Sequence, residues 1–302
     1  MQAIVFDEFG GPEVLRFTEA DEPHAGPGQV RVKVRAAGVN PIDYKIRRGW
    51  MEQAFPTPLP AIPGSELAGV VDEVGEGVTG HAVGDEVFGW SDTGAYAEYA
   101  LASAVARKPA ELSWEDAVAL PVASETAQRV LDLLGVDEGE TLLLHGAAGV
   151  VGSVGVQLAV ARGVTVVGTA SPANHDYLRV LGAIPVAYGD GLAERVRAVA
   201  PQGVDAVFDA AGRGALPASI ELRGGTTDRI VTIADTAAAE LGVTFSAGGT
   251  DRSQDQLAEH AQQAAEGGLR LTVADALPLA QAAKAQELSE SGHARGKLVL
   301  LP

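Results

Sequence analysis

The sequence predicts an α/β fold in two parts, a β-rich unit followed by a doubly wound parallel sheet. Three observations carry that prediction. The first third alternates apolar with polar residues and is broken by Gly and Pro. From residue 141 onward, short apolar runs alternate with helical stretches. At the first such junction Gly146, Gly149 and Gly152 stand three apart, after a strand and ahead of a helix. A chain of 302 residues also exceeds what one compact core usually serves.

The elements follow in order. Residues 29–37 place Val30, Val32 and Val34 on one face and Arg31, Lys33 and Arg35 on the other, a half-buried strand. A long loop rich in Pro and Gly is expected over 55–64. Glu66–Val74 is an apolar run that Gly75-Glu76-Gly77 ends; 84–89 reads as turn then strand, and 94–99 starts another. Ser113-Trp114-Glu115-Asp116 is a helix N-cap followed by acids in the first turn. Pro121 interrupts that helix, and a further one spans 124–134 up to Gly135. Strands at 141–144, 164–168, 205–208 and 229–233 then alternate with helices at 152–162, 175–181 and 193–200. That alternation gives a parallel sheet covered on both faces. The tail reads as a polar helix over 254–266, strands at 269–273 and Lys297–Leu301, and a helix over 278–291 between them.

Composition removes whole classes of function. Lys and Arg number 22 against 40 Asp and Glu, a net charge of −18, and there is no cysteine. Such acidity argues against a nucleic-acid partner and against an anionic membrane surface. The missing cysteines exclude disulfides and thiolate zinc sites. With 46% apolar residues the chain can bury a core. No run of about eighteen apolar residues predicts a membrane span. The acid-bearing start, Met1-Gln2-Ala3-Ile4-Val5-Phe6-Asp7-Glu8, does not read as a targeting segment, so a soluble, cytoplasmic protein is expected.

The glycine turn carries the most chemistry. Glycine lets the backbone turn sharply and approach a pyrophosphate, while the following helix aims free N–H groups at it. NAD sites place an acid about twenty residues on, at the ribose 2′-hydroxyl. Here that place reads Gly168-Thr169-Ala170-Ser171, with Asn174, His175 and Arg179 nearby and Tyr188 ending the next strand. No carboxylate opposes a 2′-phosphate, so the expected cofactor is NADP(H). His175 and Arg179 are equally readable as a solvated helix face.

These and further motifs resemble the zinc-free, zeta-crystallin-like quinone oxidoreductases of the medium-chain dehydrogenase/reductase superfamily. The likeness rests on Ala37-Gly38-Val39-Asn40-Pro41-Ile42-Asp43-Tyr44-Lys45, Pro63-Gly64-Ser65-Glu66-Leu67-Ala68-Gly69, Gly94-Ala95-Tyr96-Ala97-Glu98-Tyr99 and Ala119-Leu120-Pro121-Val122-Ala123. The glycine turn, Phe208-Asp209-Ala210-Ala211-Gly212 and Gly292-His293-Ala294-Arg295-Gly296-Lys297-Leu298 complete it. The resemblance implies a GroES-like catalytic domain over 1–112, a Rossmann NADP-binding domain over 113–267, and a return to the catalytic domain over 268–302, with the cofactor in the cleft between domains. It implies a homodimer through the edge segment 241–246.

By the same resemblance Asn40, Tyr44 and Lys45 are the catalytic residues. Cofactor contacts are implied for Asn40, Thr126, Gly146, Ala147, Ala148, Gly149, Val150, Val151, Gly152, Thr169, Ala170, Ser171, His175 and Tyr188. They are implied also for Ala211, Gly212, Ala234, Phe245, Ser246, Ala247 and Lys297. Zinc-dependent relatives carry a cysteine where Asn40 stands and a histidine where Ser65 stands; amide and hydroxyl bind Zn²⁺ poorly, so no metal is expected. The chain departs from the family pattern at Val150, where a second glycine is usual, and near 174–175, where many NADP-using members carry a lysine.

Alternative readings stand beside these. Asn40 before Pro41 is a good turn residue. Lys45 with Arg47 and Arg48 can be a solvated basic cluster, and Asp43 can orient Lys45 or cap its turn. Glu66 reads as structural. Trp50, Phe55 and Trp90 suit either an apolar acceptor wall or the core, and His81 and His293 have no partner at metal spacing. The short polar loop 248–256 suggests an open site. The implied function is hydride transfer from NADPH to a quinone. The alternatives are C=C reduction of an α,β-unsaturated aldehyde or ketone, or a non-catalytic NADPH-binding protein.

Overall fold

The structure is a computed structural model and describes residues 1–248, 252–292 and 294–302. The strands are β1 (Gln2–Val5), β2 (Arg16–Glu19), β3 (Val30–Val39), β4 (Glu66–Val74), β5 (Glu86–Trp90), β6 (Tyr99–Ala102), β7 (Ala104–Arg107) and β8 (Thr141–His145). They continue with β9 (Thr165–Thr169), β10 (Ile184–Val186), β11 (Ala206–Asp209), β12 (Ile230–Thr232), β13 (Thr244–Phe245), β14 (Val273–Pro278) and β15 (Lys297–Leu301). The helices are α1 (Pro41–Arg47), α2 (Trp114–Val118), α3 (Pro121–Leu134), α4 (Val150–Ala161), α5 (His175–Val180), α6 (Leu192–Val199), α7 (Leu216–Leu222), α8 (Ala238–Leu241), α9 (Gln254–Ala265) and α10 (Ala282–Ser291). Two compact units emerge, Met1–Val122 with Arg252–Pro302, and Ala123–Asp251.

In the first unit a seven-stranded sheet runs β14-β15-β3-β4-β5-β7, with β6 also paired to β3. Its centre is β3, whose Val30, Val32 and Val34 are buried while Lys33 and Arg35 are exposed, the alternation expected of a strand wet on one face. Those valines join Leu67, Val71, Val87, Val105 and Leu298 in one core. The segment expected to open a strand at residue 94 instead turns: a Cβ at Gly94, which has φ +92°, would lie 2.1 Å from the Ile62 carbonyl oxygen. The strand begins only at Tyr99.

Three further expectations change. Pro121 opens α3 rather than only breaking its predecessor, because a helix's first turn needs no N–H donor. The strand expected over 269–273 lies at Val273–Pro278, where it pairs in parallel with β15; the available partner, not local propensity, decides it. A short 3₁₀ turn, Leu279–Gln281, therefore precedes α10. Finally α9, which the sequence reading joins to the nucleotide-binding segment, packs on β7 of the first unit.

The second unit is a six-stranded parallel sheet in the order β10-β9-β8-β11-β12-β13. Counted from β8 this is 3-2-1-4-5-6, the doubly wound order, whose direction reverses beside β8. Helix α4 carries no charge and buries Gly152 through Val156, Leu158 and Ala159. The strand expected to end at Tyr188 is β10, which stops at Val186, and short α7 was not read from the periodicity. The edge strand β13 is exposed, within the segment 241–246. Among the described residues no helix is long and apolar enough to cross a membrane.

Candidate active site

In the first unit the charges have moved inside. Asn40 ends β3's extension and caps α1, where Pro41 presets the helical φ and holds Asn40 extended. Its amide is locked from both ends: Oδ1 accepts from Lys297 Nζ at 2.7 Å, and Nδ2 donates to Glu66 Oε1 at 2.7 Å. Lys297 also forms an ion pair with Glu66, and both side chains are fully buried. Glu66 Oε2 accepts from the Val122 N–H at 2.9 Å. Gly38 makes room for this pair, since a Cβ there would lie 2.2 Å from Glu66 Oε1 and 2.7 Å from Lys297 Cε.

Asp43 is a second hub. Its carboxylate accepts from Asn40 N at 2.8 Å, Ser65 Oγ at 2.9 Å and the Tyr96 hydroxyl at 2.9 Å. Burial pushes its carboxyl up to about 6, against the downward pull of those donors and of Lys297. Burial and the Asp43 charge raise the Tyr96 hydroxyl well above its usual range. Asp43 thus caps α1 rather than reaching Lys45. Tyr44 meets the Trp50 ring edge-on at 6.3 Å. The Lys45 ammonium is pulled below its usual range by burial.

Arg47 and Arg48 do not form a solvated cluster. Arg47 is fully buried, and both bind Glu290 of α10, at 3.1 and 3.0 Å. Trp90 is buried, with the Arg252 guanidinium over its ring at 5.8 Å; Trp50 is 64% exposed and Phe55 is exposed too. Residues 249–251, within the polar loop, and His293 lie outside the described residues. Lys297 departs from the role the resemblance implies: its ammonium faces Asn40 and Glu66 and is sealed from solvent. Sequence reading could not find this, because Lys297 and Asn40 are 257 positions apart.

The same geometry tests for zinc. At the two positions where zinc-dependent relatives have Cys and His, the Asn40 oxygen already binds an ammonium and the Ser65 hydroxyl donates to Asp43. That donor set does not fit a tetrahedral Zn²⁺ site. Among the described residues no group of three His, Cys, Asp or Glu could hold a metal.

The second unit carries the cofactor candidates. Gly146 turns the chain at φ +72°, and Gly149 N bonds back to Gly146 O at 3.0 Å. Gly149 is the N-cap of α4 and has no capping side chain, leaving the N–H groups of Val150 and Val151 at an open helix start. A Cβ on Gly152 would sit 2.2 Å from Gly146 O, so strand, turn and helix close only around glycine. Ala147 N bonds Thr169 O at 3.1 Å, while Ala148 lies between them and the helix start, half-buried.

After β9, Ala170 is buried and Ser171 begins a short 3₁₀ turn, with Asn174 Nδ2 donating to Ser171 Oγ at 3.3 Å. His175 Nε2 lies 3.4 Å from Ala170 O, and Arg179 pairs with Asp176 at 2.6 Å. Tyr188 is exposed on a loop whose carbonyls Arg195 gathers. Gly212, at φ +59°, lets its loop pass the Ala234 backbone, which a Cβ would meet at 2.6 Å. Ser246 is held by Arg129 of α3, itself bound to Glu125 at 2.6 Å, and Thr126 Oγ1 also reaches Glu125. Phe245 and Ala247 are exposed. Arg129 and Arg195, missed by motif reading, are the side chains that hold two of these loops.

Comparison with known proteins gives the family. Residues 26–110 match the alcohol dehydrogenase GroES-like domain and residues 181–300 the zinc-binding dehydrogenase family. The chain is an oxidoreductase of the medium-chain dehydrogenase/reductase type, with a GroES-like part and a Rossmann-like parallel sheet. It is 32% identical to the quinone oxidoreductase of Homo sapiens, an alignment covering 100% of this chain and 98% of that protein. Within the superfamily it belongs to the quinone oxidoreductase family. It is 35% identical to the 2-methylene-furan-3-one reductase of Solanum lycopersicum over 75% of this chain and 61% of that protein. A mycobacterial protein solved in complex with NADPH superposes with TM-score 0.86 at 31% identity, covering 100% of each chain.

Proposed function

We propose that this chain is an NADPH-dependent reductase of quinones that works without zinc. The observation that carries the reading is the Asn40 amide, locked between the buried Lys297 ammonium and Glu66 at the start of the helix that bears Tyr44 and Lys45. NADPH, when bound, supplies the hydride. Gly146, Gly149 and Gly152 with the start of α4 suit its pyrophosphate, and the absence of a carboxylate at Ala170-Ser171 suits its 2′-phosphate.

The chain's own donors then serve the acceptor. A quinone oxygen becomes negative as hydride arrives, and donors aimed at it lower the barrier. Asn40 Nδ2 spends one hydrogen on Glu66 and has another to give. The lowered Lys45 parts with a proton more readily than an ordinary lysine, which supplies the proton that hydroquinone formation requires. Tyr44 adds a hydroxyl and a ring face. Pairing of two copies along the exposed β13 belongs to the same reading, and light scattering that finds a monomer removes it.

A second reading, reduction of an enone C=C bond, is supported by the likeness to the tomato reductase. Rates of NADPH oxidation with a benzoquinone and with a small enone separate the two. Oxidation with neither, while NADPH binds, favours the non-catalytic alternative. Lys45→Ala is expected to slow turnover roughly 100-fold; an unchanged rate removes Lys45 from the chemistry.

A further inference from the structure

Four neighbouring strands of the second unit end on a single row of partners: Thr169 on β9, His145 on β8, Asp209 on β11 and Thr232 on β12. All four are polar and at most 2% exposed. Three of them grip the backbone of loops leaving the sheet. Thr169 Oγ1 accepts from Gly146 N at 3.3 Å. Asp209 Oδ1 accepts from Ala211 N at 2.9 Å and Gly212 N at 3.1 Å. Thr232 Oγ1 accepts from Ala234 N at 3.1 Å and Asp235 N at 3.0 Å, and donates to Asp209 Oδ2 at 2.8 Å. The loops so held are those read as lining the cofactor.

The His145 side chain bonds no loop backbone itself, although its carbonyl oxygen accepts from Ala210 N at 3.1 Å. Its Nδ1 lies 3.3 Å from Thr169 Oγ1 and its Nε2 2.8 Å from Ser219 Oγ, which donates to Ala215 O at 2.9 Å. One arrangement gives each hydrogen an acceptor: Nε2–H to Ser219, and the Thr169 hydroxyl to Nδ1. The opposite tautomer leaves the Thr169 hydrogen without an acceptor in this chain of bonds. The neutral ring therefore orients the Thr169 hydroxyl, and the lone pairs of that hydroxyl meet Gly146 N–H.

We propose that His145 is a positioning residue for the pyrophosphate turn, acting through Thr169 on Gly146. This rests on the NADPH reading above and adds to it a residue outside the glycine motif's contacts. An apolar side chain at 145 keeps the packing but frees the Thr169 rotor, while Ser219 keeps its bond to Ala215 O and loses only the Nε2–H it accepts, so the turn samples geometries that bind a pyrophosphate poorly.

The test measures the dissociation constant of NADPH by nicotinamide fluorescence, with thermal unfolding in parallel, for the full chain and for H145L, H145N, T169V and H145L/T169V. H145L and T169V are each expected to weaken NADPH about tenfold, and the double variant no further, because both cut one chain. Asn at 145 sets an amide oxygen near the place of Nδ1, so H145N is expected to recover most of the loss. A lower melting temperature with unchanged affinity in H145L would make the role structural only and overturn the proposal. Independent, additive losses overturn it too. Should H145L not fold, T169V binding like the parent overturns it. A parent chain that binds no NADPH instead defeats the reading on which it rests, and the proposal with it.

Discussion

Replacing Lys297 by Met removes the cation that faces Glu66 and frees the Asn40 oxygen. The size of the effect follows from burial. Both charged side chains are sealed from solvent, and Glu66 keeps only Asn40 Nδ2 and Val122 N as donors once the ammonium is gone. Two unit charges about 4 Å apart attract by about 4 kcal/mol at an effective dielectric constant near 20. Removing one member of such a pair typically costs about 3–5 kcal/mol, since an unpaired buried charge remains. Urea unfolding of the parent, Lys297→Met, Glu66→Gln and the double variant reads this out. Lys297→Met is expected to lose about 3–5 kcal/mol. The double variant removes both members of the pair and is expected to recover at least about half of the summed single losses. Strictly additive losses, or a Lys297→Met variant within about 1 kcal/mol of the parent, refute the buried-pair argument.

Gly152→Ala drives a methyl group to 2.2 Å from Gly146 O and is expected to abolish measurable NADPH binding; Gly149→Ala meets that oxygen at 3.3 Å and is expected to bind within about threefold of the parent by fluorescence titration. Ser171→Asp places a carboxylate at the end of β9 and is expected to lower kcat/KM for NADPH at least about tenfold while that for NADH rises. Two buried groups give opposite pH slopes. Asp43, at about 6 folded against about 3.9 unfolded, holds an extra proton in the folded state between those values, so its contribution to stability is lost as pH rises through that window. His145, lowered to about 4 by burial against about 6.5 unfolded, leaves the extra proton on the unfolded chain, so its contribution is lost as pH falls. From pH 4 to 6, Asp43→Asn is expected to gain on the parent in urea unfolding and His145→Asn to lose ground; flat differences would falsify both assignments.

Much of the architecture was legible before any coordinates. The valine alternation of β3, the Ser113 cap, whose Oγ accepts from Asp116 N, and the glycine turn are local signals, and the structure places each within a residue or two of its reading. Strand boundaries that depend on a neighbour were not: β14 starts four residues later than its own composition suggests because β15 supplies its ladder there. Arg47 shows the same limit for charge, since a run of basic residues reads as surface until α10 brings Glu290 over it.

By itself, then, the sequence determined the two-part α/β organisation, the turn that suits a pyrophosphate, the lack of a carboxylate after β9 and the absence of thiol ligands. Each of these is written in residues close together or in composition. Tertiary structure alone decided that Lys297 faces Asn40 and Glu66, that Asp43 gathers Ser65 and Tyr96, and that Thr169, His145, Asp209 and Thr232 stand in one buried row. The physical reason is that a polar side chain is buried only where distant partners satisfy it. Periodicity records which face turns inward; the identity of the partner waiting there is settled by how the strands pair.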